Sequence, residues 1–264
     1  MDHAGRPRHQ AGARMVRVRR AHWVLPSMAT GPMNVLAYGH GGRPVVFLGA
    51  ERASAWDFEQ RGLLDAVAWM VDAGRVRVYA VDTYDTASWR NEGLGREDRA
   101  RAHHRFEDFV LADLVPAIHR DCGWLAPLVV TGPSLGAFQA ADLCLRRPDV
   151  FPVALCMSGV YDLDGIGWGE RGDTFYFHNP VDYVAGMAGD HLDWVRSAAR
   201  LVLTVGTGMW EDDSASGALN ATLRFAGLLA EKGIPHQLDV WGQDTPHDWP
   251  SWARMLAEHL PRLA

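Results

Sequence analysis

Short apolar runs of strand character alternate with amphipathic stretches of helical period along most of this chain, and few architectures can bury such a pattern. The strand-like runs are residues 22–25, 34–38, 44–48, 76–81, 128–131, 153–157, 201–205 and 237–241. The turn signal Gly39-His40-Gly41-Gly42 leads into the third, which reads as a buried central strand. Between the runs, apolar residues recur three and four apart, as in Leu63, Val67, Met70 and Val71, or Phe109, Leu111, Leu114 and Ile118. Leu219, Leu223, Ala226 and Leu229 repeat the pattern before Gly233-Ile234-Pro235 ends it, and residues 252–260 make a final helix. The expectation is an α/β fold with a mostly parallel central sheet and helices on both faces.

Residues 21–264 read as one catalytic domain, in which 159–198 lack the rhythm and are expected to form a cap segment. Residues 1–20 are arginine-rich with no apolar stretch, as in a flexible basic tail, and Met15 is an alternative initiator. A formal net charge of -6 gives no reason to expect nucleic acid or an anionic membrane as partner, so a small molecule fits better. No apolar run approaches the roughly 18 residues of a spanning helix. Cys122, Cys144 and Cys156 are odd in number and show neither zinc-ligand spacing nor a complete disulfide framework, which suits a reducing cytoplasm. The oligomeric state is not legible.

The chemistry lies in Thr131-Gly132-Pro133-Ser134-Leu135-Gly136, a G-x-S-x-G directly after a strand-like run and before a helix-like one. A serine on that sharp turn needs small neighbours two residues either side, which Gly132 and Gly136 supply. The competing reading is an ordinary helix start with Ser134 as cap. A serine nucleophile needs an imidazole to take its proton, and His247 stands in the loop between the last strand and the last helix. His103, His104, His178, His236 and His259 are less well placed. A carboxylate should orient the imidazole, and the loop after 201–205 offers Glu211, Asp212 and Asp213. Glu211 is preferred, with Asp212 and Asp213 left to cap the next helix. The order serine, acid, histidine differs from that of the chymotrypsin arrangement.

These segments resemble the α/β-hydrolase superfamily, and within it bacterial esterases of the esterase D and mycolyltransferase-like branch. The likeness spans most of the chain and includes Tyr38-Gly39-His40-Gly41-Gly42-Arg43-Pro44, residues 82–89, Met157-Ser158-Gly159-Val160-Tyr161-Asp162 and His247-Asp248-Trp249-Pro250-Ser251-Trp252. In the mycolyltransferases the acid is a glutamate a few residues beyond a Gly-x-Gly turn, which Gly206-Thr207-Gly208 and Glu211 match. The resemblance implies an α/β-hydrolase fold and a serine esterase working through an acyl-enzyme, with no metal or organic cofactor. One oxyanion donor is expected from the Leu135 amide and the second from residues 50–53, with Ala50 and Glu51 the candidates, although that loop lacks the glycine run of many esterases. Asp82 and Trp89 follow the fourth strand, and with Trp249 they are candidate substrate-binding residues. The rival readings are an acyltransferase, in which an alcohol outcompetes water, and a non-catalytic binding protein on the same fold.

Overall fold

A computed structural model gives the architecture and describes residues 20–212 and 217–264. Residues 1–19 of the expected tail, including Met15, and Asp213 lie outside the described residues. Arg20 does not belong to a tail: it opens the first strand and pairs with Glu59 at 2.8 Å.

The elements follow in the order β1 (Arg20–Leu25), β2 (Met33–Tyr38), β3 (Arg43–Leu48), α1 (Asp57–Gln60), α2 (Leu63–Asp72) and β4 (Val76–Val81). Next come α3 (Arg96–Phe109), a π-helical turn (Val110–Leu114), α4 (Val115–Cys122), β5 (Val129–Pro133), α5 (Leu135–Arg146) and β6 (Val153–Met157). Then α6 (Asp173–His178), α7 (Pro180–Gly186), α8 (Gly189–Ala198), β7 (Arg200–Val205), α9 (Ala218–Glu231), β8 (His236–Val240) and α10 (Trp249–Leu263) complete the chain. The strands form one sheet in the order β1-β2-β4-β3-β5-β6-β7-β8. The pairs β1–β2 and β2–β4 are antiparallel and all others parallel.

Alternation along the strands divides the core. Val46, Leu48, Tyr79, Val81, Val130 and Leu203 face the layer containing α3, α5 and α9, while Val45, Phe47, Val78, Ala80, Val129 and Val202 face α2 and α10. Both faces of the central strands are therefore buried, which is why those strands read as continuous apolar runs rather than alternating ones.

Sequence order reverses around β3, whose neighbours are β4 and β5, so the loops at the carboxyl ends of β3 and β5 border the crevice where such sheets bind ligands. The expected cap segment contains three helices, and α6 packs on α3 while α7 packs on α5 and α9. The carboxylate of Glu97 on α3 accepts the Thr174 and Phe175 amides at 3.2 and 2.9 Å, satisfying donors in the first turn of α6. No helix among the described residues is long and apolar enough to cross a membrane.

Candidate active site

Ser134 joins β5 to α5 with φ 54° and ψ −117°, a region that side-chain-bearing residues rarely occupy. Close packing enforces the turn. A Cβ on either Gly132 or Gly136 would lie 2.2 Å from the Leu48 carbonyl oxygen, so the elbow presses directly on the end of β3. The Ser134 amide donates to the Met157 carbonyl at 2.8 Å, tying the elbow to β6 as well. Its hydroxyl makes no capping bond to α5, so it does not play the part of an ordinary helix cap.

That hydroxyl lies 3.1 Å from Nε2 of His247, and Nδ1 of the same ring lies 3.0 Å from Oε2 of Glu211. Glu211 is fully buried. Its second oxygen accepts the Ser158 hydroxyl at 2.5 Å and the Gly206 amide at 3.4 Å, so hydrogen bonds compensate for burying the carboxylate. Of the two other carboxylates considered, Asp212 accepts from Asn220 Nδ2 at 2.5 Å, away from the imidazole. Ser158 was missed as a site residue. It stands in the Met157-Ser158-Gly159 stretch after β6, and only its left-handed backbone (φ 50°) and its bond to the acid reveal a role.

The acid and histidine loops are joined through their backbones. Gly208 N donates to Thr245 O at 3.1 Å and His247 N to Met209 O at 2.9 Å. A Cβ at Gly206 would lie 1.9 Å from Thr245 O, so only glycine permits the approach that brings Glu211 to His247.

In the loop after β3, backbone donors are already engaged at residues 52, 53 and 55. Arg52 N donates to Asp85 Oδ2 at 2.7 Å, Ala53 N to Ala50 O at 3.0 Å and Ala55 N to Asp82 Oδ1 at 3.0 Å. Arg52 adopts φ 58° there. Among the described residues the amides of Ala50 and Glu51 have no acceptor, nor does that of Leu135 at the start of α5. A Cβ on Gly136 would lie 2.6 Å from the Gly49 carbonyl oxygen, so the chain immediately before these two amides touches the serine elbow. The Arg52 side chain is mostly exposed, and its nearest carboxylate is Glu51 at 3.6 Å.

The three candidate substrate residues separate. Asp82 is a loop-holding group: besides Ala55 it accepts the Asn34 amide at 3.1 Å and Asn34 Nδ2 at 2.7 Å. Trp89 corrects the expectation. It is fully buried among His103, Phe138 and Phe175, because the turn after β4 folds back onto α3 and α5. Trp249 is half-buried two residues beyond His247, edge-on to Trp252 and beneath the Arg61 guanidinium. Met209 and Trp210, beside Glu211, are 64% and 54% exposed and give this rim an apolar surface.

The family model described as "Putative esterase" matches residues 13–263. The chain belongs to this esterase family. It is a carboxylic ester hydrolase of the α/β-hydrolase fold, as the resemblance of its segments had implied. A solved ferulic acid esterase is similar with a TM-score of 0.73 at 16% identity, covering 93% of this chain and 98% of that one. MPT51 of Mycobacterium tuberculosis is similar with a TM-score of 0.73 at 17% identity over 93% and 97% of the two chains. S-formylglutathione hydrolase of Staphylococcus aureus gives 0.66 at 15% identity over 93% and 97%. No curated protein sequence matches the chain.

Proposed function

We propose that the esterase hydrolyses its substrate through a covalent acyl-enzyme in which Ser134 is the nucleophile, His247 the general base and Glu211 the acid that orients it. The observation that carries this reading is the continuous chain from Ser134 Oγ to His247 Nε2 at 3.1 Å and from His247 Nδ1 to Glu211 Oε2 at 3.0 Å. His247 takes the serine proton as the hydroxyl attacks the ester carbonyl, then passes it to the departing alcohol. Glu211 holds the tautomer in which Nδ1 carries a proton and stabilises the imidazolium that forms. The tetrahedral oxyanion is received by the Leu135 amide and by that of Ala50 or Glu51. Water, deprotonated by His247, then releases the acid and restores Ser134. Trp249 is proposed to line the entrance for the acyl or alcohol group, and a small-molecule ester is the proposed substrate. The odd cysteine count favours a reducing cytoplasm as its setting.

Hydrolysis of p-nitrophenyl esters from acetate to decanoate by the wild type, Ser134→Ala and His247→Ala tests the mechanism. Both variants should lose several orders of magnitude in kcat while remaining folded. Full activity of Ser134→Ala would remove the serine from the mechanism.

A further inference from the structure

The loops that follow β3 and β4, with the start of α3, gather three guanidinium groups near the serine elbow, and the proposed chemistry uses none of them. Arg90 Nη2 lies 2.5 Å from Glu51 Oε2, while Arg52 Nε stands 3.6 Å from the other Glu51 oxygen, beyond hydrogen-bond reach. Arg99 on α3 donates Nε to Leu94 O and Nη1 to Trp89 O, both at 2.8 Å, and is buried without an ion pair among the described residues. Asp85, also buried, spends Oδ2 on the Arg52 amide and pairs with none of the three. Glu92 is exposed, so solvent screens its charge. Positive charge is therefore short of partners here. Burial and the neighbouring Arg90 lower the Arg99 guanidinium from its ordinary value, and the buried Arg90 Nε has no hydrogen-bond partner among the described residues.

We propose that Arg52 and Arg90 form an anion subsite at the edge of the active site, and that the esters this enzyme hydrolyses carry a carboxylate. The inference rests on the acyl-enzyme reading, in which the amide of Ala50 or Glu51 meets the oxyanion. Glu51 then joins the two sites, its backbone near the reacting carbonyl and its carboxylate on Arg90, so that guanidinium stands about one side-chain length from the chemistry. Arg52 is the group an incoming carboxylate can take up, because its side chain is 66% exposed and makes no hydrogen bond among the described residues. Its left-handed backbone (φ 58°) is one that glycine adopts without strain, so the turn itself gives no reason for an arginine. A planar guanidinium meets a carboxylate through two parallel hydrogen bonds. Arg90, anchored by its amide on Asp85 O at 2.7 Å and by Glu51, supplies a second charge. Arg99 lies behind, covered by Gly167, where a Cβ would stand 3.1 Å from Cζ, and adds charge without contact. Glu51 and Asp85 offset two of the three charges, and the remainder is what a substrate carboxylate neutralises.

Pairs of esters that differ only in charge test the subsite. On the acyl side, the p-nitrophenyl half-ester of adipic acid is compared with its neutral half-amide; on the alcohol side, 4-carboxyphenyl butyrate is compared with 4-carbamoylphenyl butyrate. In one pair kcat/KM should favour the anion by about 10-fold, as for a hydrogen bond between charged groups, and about 0.5 M NaCl should erode the preference. Arg52→Ala, at an exposed side chain, and Arg90→Gln should each abolish the preference, whereas Arg52→Lys should keep part of it. Glu51→Gln, which releases both guanidinium groups, should increase it. The ratio within a pair is insensitive to general damage, because both esters meet the same fold. No preference in either pair, or a preference that survives both arginine substitutions, overturns the subsite. Ser134→Ala is measured alongside and should lose both members of each pair. Hydrolysis that depends on Ser134 yet ignores charge refutes the subsite alone, whereas a charge preference that persists in Ser134→Ala refutes the acyl-enzyme reading instead.

Discussion

In the proposed mechanism Ser158 and Asp85 would act only through other residues, which makes them informative to change. Ser158→Ala removes the shortest hydrogen bond to one oxygen of the buried Glu211 carboxylate and leaves the longer Gly206 contact, so that carboxylate should lose its fixed orientation toward His247. The expected result is a fall in kcat of about 10–100-fold with KM nearly unchanged, read from steady-state kinetics across pH. Asp85 is fully buried and holds the Arg52 amide at 2.7 Å while its own carbonyl accepts from Arg90 N at 2.7 Å. It thereby fixes the turn in which Arg52 adopts a left-handed backbone and leaves the Ala50 and Glu51 amides available. Asp85→Ala should cost about 10²-fold in kcat, in the range for losing an oxyanion donor, whereas Asp85→Asn, which keeps an acceptor oxygen, should recover much of it. Equal losses in both variants would show that the carboxylate charge, not the hydrogen bond, is what matters.

Between elements, the Glu97 contact joins α3 to the start of α6. Burial alone would raise this carboxyl, but hydrogen bonds from Thr174 and Phe175 and the nearby Arg101 outweigh it and hold the group below its usual value. A depressed folded value means that the stabilisation is present above the unfolded pKa of about 4.3 and is lost as pH falls through the folded one. Glu97→Gln should therefore cost about 1 kcal/mol in urea unfolding at pH 7, the typical value of a helix cap, and the difference should shrink below about pH 4. Contacts of this kind were not legible in the sequence, because Glu97 and Phe175 share no periodicity and are brought together only by the packing of α6 on α3. The strands were legible for the opposite reason: each is a short apolar run whose boundaries are set by local turn residues, and Gln237 to Val240 was recognisable even as an exposed edge. His247 and Glu211 could be proposed because strand order dictates which loops meet. Trp89 could not be placed, since nothing in residues 82–89 says that the turn folds inward onto Phe138.

For the molecule as a whole, the proposed mechanism makes the elbow a site where stability is exchanged for reactivity. Three strands, β5, β7 and β8, each deliver one member of the Ser134, Glu211 and His247 chain, and the sheet must hold Ser134 in its unfavourable backbone conformation for the three to meet. Such a conformation costs about 1–3 kcal/mol in a residue with a Cβ, and the folded state supplies it from packing elsewhere. Glycine escapes that strain but loses about 0.5–1 kcal/mol through the greater freedom of the unfolded chain. Ser134→Gly and Ser134→Ala should both abolish esterase activity, yet they should differ in stability. Alanine retains the strain and should unfold close to wild type, while glycine should be more stable by about 1 kcal/mol, or roughly 2–4 °C in Tm for a chain of this size. Calorimetry on the pair reads the difference directly. A Ser134→Gly protein no more stable than Ser134→Ala would mean that Gly132, Gly136 and the Leu48 carbonyl, rather than the serine backbone, carry the energetic burden of the turn.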